Sequence, residues 1–280
     1  MMLSVIVVSF NVREFVKQCL TSLRYAHFTG QVEVVIVDNN SADNTVEMVG
    51  RLFPDVRLIA NTENKGFAAA VNQGVAAARG DTLLLLNPDT ILEEGTLQVL
   101  ADYLEAHPEV GCVGPKILNS DGSLQQACKR SFPSPWVALT YFLGLARLFP
   151  RSRLFGRYNL TYLDPDQTHE VDALSGSCMC LPRKVWDSVG PMDESFFLFG
   201  EDLDYCYRIH QAGYKVVYHP ATQIVHYKGE SVKTASFDNL KVFYEAMVTF
   251  SQKYDSFSGR FVTRTFIRFG IGVQAWLHYV

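Results

Sequence analysis

Long apolar runs are missing from this chain. No uninterrupted stretch reaches the roughly 18 to 20 residues that a bilayer-spanning helix needs. A basic leader is missing as well, because Met1-Met2 passes almost directly into Leu3-Ser4-Val5-Ile6-Val7-Val8-Ser9-Phe10, too short for a signal-peptide core. Both absences predict a protein of the cytoplasm or of the cytoplasmic face of the inner membrane. Near the amino terminus there is no glycine-rich phosphate loop with a lysine, which speaks against a nucleotidyltransferase. Beyond Cys178-Met179-Cys180, the six cysteines show no metal-site spacing. On a strand those two thiols share a face, so reduced core cysteines are expected. An excess of positive charge is also lacking: the net charge of -4 argues against a nucleic-acid partner.

Acidic residues are absent from two particular stretches. None lies between Asp121 and Asp164, where Lys129, Arg130, Arg147, Arg151, Arg153 and Arg157 stand, and none follows Asp255, where Arg260, Arg264 and Arg268 stand. Both stretches are rich in Phe, Leu, Trp and Tyr, the composition of a segment lying on an anionic membrane surface. A basic, partly buried acceptor region is the competing reading.

What is present is an ordinary globular composition, 48% hydrophobic and 19% charged over 280 residues, enough for a large core. Strand patterns at Leu3 to Phe10, Val32 to Val37, Val56 to Ala60 and Thr82 to Leu86 alternate with helical patterns. The helices are expected at Val12 to Tyr25, Asp43 to Leu52, Gly66 to Ala78 and Glu93 to His107. Such alternation predicts an α/β fold with a parallel sheet. Ser41 or Asp43 is expected to cap the second helix. After Pro108, strands are expected at Val110 to Leu118, Ser123 to Cys128 and Glu170 to Leu181, with Asn119-Ser120-Asp121-Gly122 as a hairpin turn. A helix is expected at Glu201 to Ala212 and a strand at Lys215 to His219, which Pro220 should end. The last 50 residues read as helices, one of them placing Arg260, Arg264 and Arg268 on one face.

Acidic and amide residues fall just past the predicted strands: Asp38, then Asn87-Pro88-Asp89, and later Glu201-Asp202-Leu203-Asp204 and His226. The carboxyl ends of strands in an open parallel sheet border one crevice, so these groups can gather around one ligand.

Five pieces then occur in order: Val5 to Asn11, Val37-Asp38-Asn39-Asn40-Ser41-Ala42-Asp43, Asn64-Lys65-Gly66-Phe67 with Asn72, Asn87-Pro88-Asp89, and Gly200 to Asp204. Together they resemble family 2 glycosyltransferases of the GT-A fold, especially bacterial rhamnosyltransferases of cell-surface polysaccharide synthesis. The resemblance covers about residues 3 to 230. It implies a mostly parallel nucleotide-binding sheet flanked by helices in 1–108, a mixed acceptor-binding and catalytic half in 109–230, and a helical extension in 231–280. That extension would contact a membrane surface or another subunit.

The resemblance also implies roles. Asp38 would accept the N–H of a uracil or thymine ring, with Ser9, Phe10, Asn11 and Asn40 beside it. Asn64, Gly66, Phe67 and Asn72 would line the ribose and diphosphate side. Asn87-Pro88-Asp89 stands where the family commonly has Asp-x-Asp, so Asp89 would hold Mg²⁺ or Mn²⁺ against the donor diphosphate, with His226 as a further ligand. Asn87 departs from that pattern and removes one negative charge. Asp202 would be the general base of an inverting transfer, Glu201 would orient it, Asp204 would do no more than cap, and Gly176 and Ser177 would meet the acceptor. A nucleotide-diphosphate sugar, best dTDP-rhamnose with UDP-hexoses or a galactofuranose donor as alternatives, and a saccharide or lipid-linked acceptor are the partners implied. A non-catalytic sugar-binding protein is the alternative of another class.

Overall fold

The computed structural model describes residues 1–134, 136–137, 140, 143–227, 246, 249–250 and 252–254. The helices expected in the last 50 residues, including the face of Arg260, Arg264 and Arg268, therefore fall almost wholly outside the described residues.

The amino-terminal half is built as its sequence pattern demands. Strands β1 (Met2–Ser9), β2 (Gln31–Asp38), β3 (Arg57–Ala60) and β4 (Thr82–Leu86) pair in parallel in the order β3-β2-β1-β4. β4 is buried at every position, as expected for a strand covered on both faces. Helix α1 (Arg13–Tyr25) turns Val16, Cys19, Leu20 and Leu23 inward, the spacing of one helical stripe. Helices α2 (Thr45–Leu52) and α3 (Phe67–Ala77) complete this half. Small residues let α3 lie close to the sheet: a Cβ on Gly74 would come within 2.5 Å of Ile6 Cγ2. Neither Ser41 nor Asp43 caps α2: the N-cap is Asn44, in the left-handed region and with no side-chain cap, while Asp43 accepts from Thr45 N–H and, with its other oxygen, from Arg13 N–H at the head of α1.

Beyond β4 the sheet becomes mixed. The short strand β5 (Thr90–Leu92) and helix α4 (Thr96–Ala106) lead to β6 (Val110–Leu118). The predicted turn at 119–122 is present, with Gly122 N–H donating to Asn119 O. The expected strand at Ser123 to Cys128 is instead a single bridge at Leu124 followed by one turn of 3-10 helix over Gln126–Cys128. Next come β7 (Lys129–Arg130) and the four-residue helix α5 (Leu145–Leu148).

The expected strand Glu170 to Leu181 is broken into β8 (His169–Glu170), β9 (Ala173–Leu174) and β10 (Cys178–Pro182). Each piece serves a different neighbour: β8 pairs with β11, β9 with β7, and β10 inserts antiparallel between β4 and β6. Helix α6 (Arg183–Val189), which the sequence reading did not foresee, and helix α7 (Glu201–Gln211) precede β11 (Lys215–His226). Pro220 does not end β11; the pairing with β6 shifts between Tyr218 and Gln223, and the strand resumes. The whole sheet runs β3-β2-β1-β4-β10-β6-β11-β5.

All six cysteines are free and buried. Burial pushes the thiols of Cys19, Cys180 and Cys206 up to about 12. They are inert packing groups, as the spacing suggested.

The described carboxyl-terminal residues pack on α7. Phe250 is 1% exposed and stacks on Phe132 at 6.3 Å, while Tyr254 lies 3.9 Å from the Tyr207 ring. Lys253 bridges Asp193 and Asp204, and Tyr254 Oη donates to Asp204 at 2.7 Å. Burial pushes the Asp193 carboxyl up, but the Lys253 bond and Ser195 N–H more than reverse this and hold it at about 2. Asp204 is thus no simple cap. Fully buried, it also accepts from Arg208 Nε at 2.9 Å.

Candidate active site

The carboxyl ends of β1 and β2 form one cross-linked corner. Ser9 and Asp38 are register partners, and Ser9 Oγ donates to Asp38 Oδ1 at 2.8 Å. Ser41 donates to the same carboxylate through its hydroxyl and its N–H, at 2.6 and 2.8 Å. Asp38 is only 1% exposed, so three internal donors occupy most of its acceptor capacity. Asn11, with φ 54, ties the β1 corner to the β2 corner by accepting from Ala42 N–H. Phe10 is 39% exposed above it, and Asn40, with φ 65, is exposed beside it.

Asn39, which sequence reasoning did not single out, braces this corner against the next loop. Its side-chain amide donates to Gly66 O at 3.1 Å and its oxygen accepts from Asn61. Asn64 accepts from Gly66 N–H at 2.9 Å. Gly66 has φ 84, and a Cβ there would lie 2.7 Å from Phe197 O, so glycine alone permits this approach. Phe67 N–H donates to the same Phe197 O at 2.8 Å, joining the loop before α3 to the loop before α7. Asn72 faces elsewhere: its side chain clamps the Met192 backbone in both directions and reaches Glu194.

The Asn87-Pro88-Asp89 triplet leaves β4 and meets Ser177, whose carbonyl accepts from Asn87 N–H at 2.9 Å. The neighbouring Gly176 N–H donates to Asp202 Oδ2 at 3.0 Å. Two consecutive residues thus hold the triplet on one side and the first turn of α7 on the other.

Asp89 and His226 are both buried, with His226 Nε2 at 3.1 Å from Asp89 Oδ1. His226 Nδ1 lies 2.9 Å from Gln125 Oε1. A chain of donors fixes its polarity. Ser123 Oγ donates to Asp121, Asn119 Nδ2 to Ser123 Oγ, and Gln125 Nε2 to Asn119 Oδ1. A carboxylate can only accept, so Gln125 presents its oxygen to the imidazole and His226 must donate from Nδ1. Unless it is protonated, Nε2 then points a lone pair at the Asp89 carboxylate. Gln125, 4% exposed, joins this candidate site without any local signal in the sequence, because its partner stands 101 positions away.

Asp202 accepts from Arg130 Nη2 at 2.5 Å, from Gly176 N–H on the same oxygen, and from Leu203 N–H on the other. Among the described residues, one lone pair of Oδ1 has no donor. Burial opposes the Arg130 charge, but Asp202 outweighs it and the guanidinium stays firmly protonated. Lys129 and Arg130 are 2% and 9% exposed, so for these two the partly buried basic region, not the membrane surface, is the reading that fits. Glu201 is buried, and its Oε2 has no partner among the described residues. Burial first, and the charge of Asp202 second, push its carboxyl up to about 8. At neutral pH Glu201 therefore carries its proton, and Asp202 is the carboxylate that Arg130 binds.

A parallel sheet whose strand ends collect polar loops, joined to a mixed half that presents a carboxylate pair, is the architecture of a GT-A glycosyltransferase. The chain superimposes on a mannosyltransferase from Pyrobaculum calidifontis solved with GDP-Man and Mn²⁺ (TM-score 0.62, 18% identity, 98% of this chain and 74% of that one). It superimposes similarly on Staphylococcus aureus TarS 1-349 in complex with UDP-GlcNAc (TM-score 0.62, 18% identity, 95% and 70%). Among curated proteins it is 30% identical over 240 residues to an N-acetylglucosaminyl-diphospho-decaprenol L-rhamnosyltransferase of Mycobacterium tuberculosis, spanning 82% of this chain and 77% of that protein. The family model for glycosyl transferase family 2 matches residues 4–175, and the chain belongs to that family. Among the described residues, no helix is long and apolar enough to cross a membrane.

Proposed function

We propose that this glycosyltransferase moves a sugar, rhamnose from dTDP-rhamnose as the first choice, onto a hydroxyl of a saccharide or lipid-linked saccharide with inversion. The observation that carries this is the Gly176-Ser177 junction, which binds Asn87 with one residue and Asp202 with the next. The 1–108 half would hold the donor and 109–230 the acceptor. Asp38, with Ser9, Phe10, Asn11 and Asn40 around it, would frame the nucleobase; Asn64, Gly66 and Phe67 would flank the diphosphate. Asn72 would act only indirectly, through Met192. The M. tuberculosis relative's name specifies a lipid-linked acceptor and L-rhamnose, which supports both choices.

Asp202 would take the acceptor proton on the free lone pair of Oδ1 as the new C–O bond forms and the sugar–phosphate bond breaks on the opposite face. Protonated Glu201 cannot compete for that proton at neutral pH.

Asp89 and His226 suit Mg²⁺ or Mn²⁺. Among the described residues no cluster of three or more His, Cys, Asp or Glu gathers for a metal, so phosphate oxygens and water would complete the shell. When bound, the cation neutralises the departing diphosphate. A histidine that donates its far nitrogen to an amide oxygen is the usual form of a metal ligand. Gln125→Leu is therefore expected to weaken Mn²⁺ binding by about 10- to 100-fold. Calorimetric titration of Mn²⁺ with nucleoside diphosphate present measures this, and parental affinity in the variant would remove His226 from the metal shell.

Thermal unfolding with a panel of nucleotide sugars and Mg²⁺ tests the donor. The dTDP-linked sugar should raise the midpoint most and release nucleoside diphosphate in the presence of acceptor. Stabilisation with no release from any donor would favour a non-catalytic sugar binder.

A further inference from the structure

The segment between β7 and β8 carries a surface that sugar transfer does not require. Trp136, Leu143, Leu148, Phe149 and Leu154 are 44%, 62%, 70%, 53% and 54% exposed, nearly half of the large apolar side chains that the described surface exposes. They are not scattered on a loose loop. Trp136 Nε1 donates to Leu154 O at 3.2 Å, and the Phe155 ring touches both Phe149 at 5.4 Å and Trp136 at 6.4 Å. Around this cluster Arg147, Arg151, Arg153 and Arg157 are all exposed, and no acidic residue stands between Asp121 and Asp164 to balance them.

We infer that Trp136, Leu143 and the described residues through Arg157 form a docking face for an anionic phospholipid bilayer. The occupant follows from the pairing of chemistries. Exposed aromatic and leucine side chains gain by entering the interface between headgroups and acyl chains, and uncompensated guanidinium groups gain from anionic headgroups. A soluble protein partner would satisfy the apolar part, but four arginines without an acid call for a surface of dense negative charge. The face is rooted at the reaction centre: Ser131 N–H donates to Tyr158 O at 2.8 Å, one residue from the Arg130 that holds Asp202. A bilayer against this face would bring lipid-borne hydroxyl groups to the acceptor side.

Vesicle flotation with the full chain tests this without any donor, so its outcome is independent of the sugar-transfer reading. The parent protein should float with vesicles of phosphatidylcholine plus phosphatidylglycerol, and much less with phosphatidylcholine alone or at high salt. Leu143→Glu/Leu148→Glu and, separately, Arg147→Glu/Arg151→Glu should each lower the bound fraction about tenfold or more. All four positions are exposed, so the thermal midpoint should hold, which separates lost docking from lost folding. The inference is overturned if the parent ignores anionic vesicles, or if both variants float as it does. A leucine variant that merely converts a dimer to a monomer, with no vesicle binding by the parent, overturns it in favour of a second copy of this chain.

Discussion

Asp202→Asn is expected to lower turnover by about 10²- to 10⁴-fold while leaving nucleotide-sugar affinity nearly unchanged. The amide keeps the size of the carboxylate but cannot take a proton. The donor side should be spared because Asp202 reaches it only through Gly176 and Ser177. Glu201 is a poor substitute, since burial, the larger of the two causes that raise its carboxyl, persists in the variant. Single-turnover rates with calorimetric donor binding separate the two effects. Retention of most of the turnover would move the base elsewhere, and a rate that then rose with pH toward 8 would point to Glu201.

Asp204→Ala is expected to destabilise the fold by about 3–5 kcal/mol, the scale for breaking a buried pair and leaving its partner charge uncompensated. In a domain of this size that is a fall in melting temperature on the order of 10 °C. Asp204 is fully buried and accepts from Arg208, Lys253 and Tyr254, so its loss leaves the largely buried Arg208 charge with no carboxylate, held only by Val189 O and the Tyr205 ring. Lys253 is different: its side chain is 32% exposed and can turn to water. Lys253→Ala should therefore cost about 1 kcal/mol or less. Thermal unfolding of both variants decides the point; equal losses would show that burial of Asp204 is not what makes it matter.

Much of the fold was legible because local pattern and final environment agree. Leu83-Leu84-Leu85-Leu86 and Val5-Ile6-Val7-Val8 read as covered strands and are covered strands. The helices of the first half begin and end within a few residues of their expected limits. Legibility failed where long-range pairing chose the structure. Residues 169–182 have one continuous strand pattern but three sets of partners, and Pro220 is tolerated because β6 accepts a shift in register. The functional groups divide in the same way. Asp89, Glu201, Asp202 and His226, the proposed site residues, have titratable side chains and stand at strand or helix ends. Gln125 and Arg130 matter only through groups 101 and 72 positions away, so the pattern around Arg130 left a membrane surface and a partly buried basic region equally open.

The insertion of β10 between β4 and β6 bears on how the chain reaches this state. During synthesis, β1 to β4 can assemble as soon as residue 86 is free, but the outer edge of β4 then waits for Cys178–Pro182. Through some ninety residues of elongation that edge is a row of leucines with unpaired backbone groups, the kind of template on which two nascent chains can pair wrongly. Yield in a host should therefore be governed by translation speed and chaperone supply over the middle of the message more than by the stability of the finished molecule.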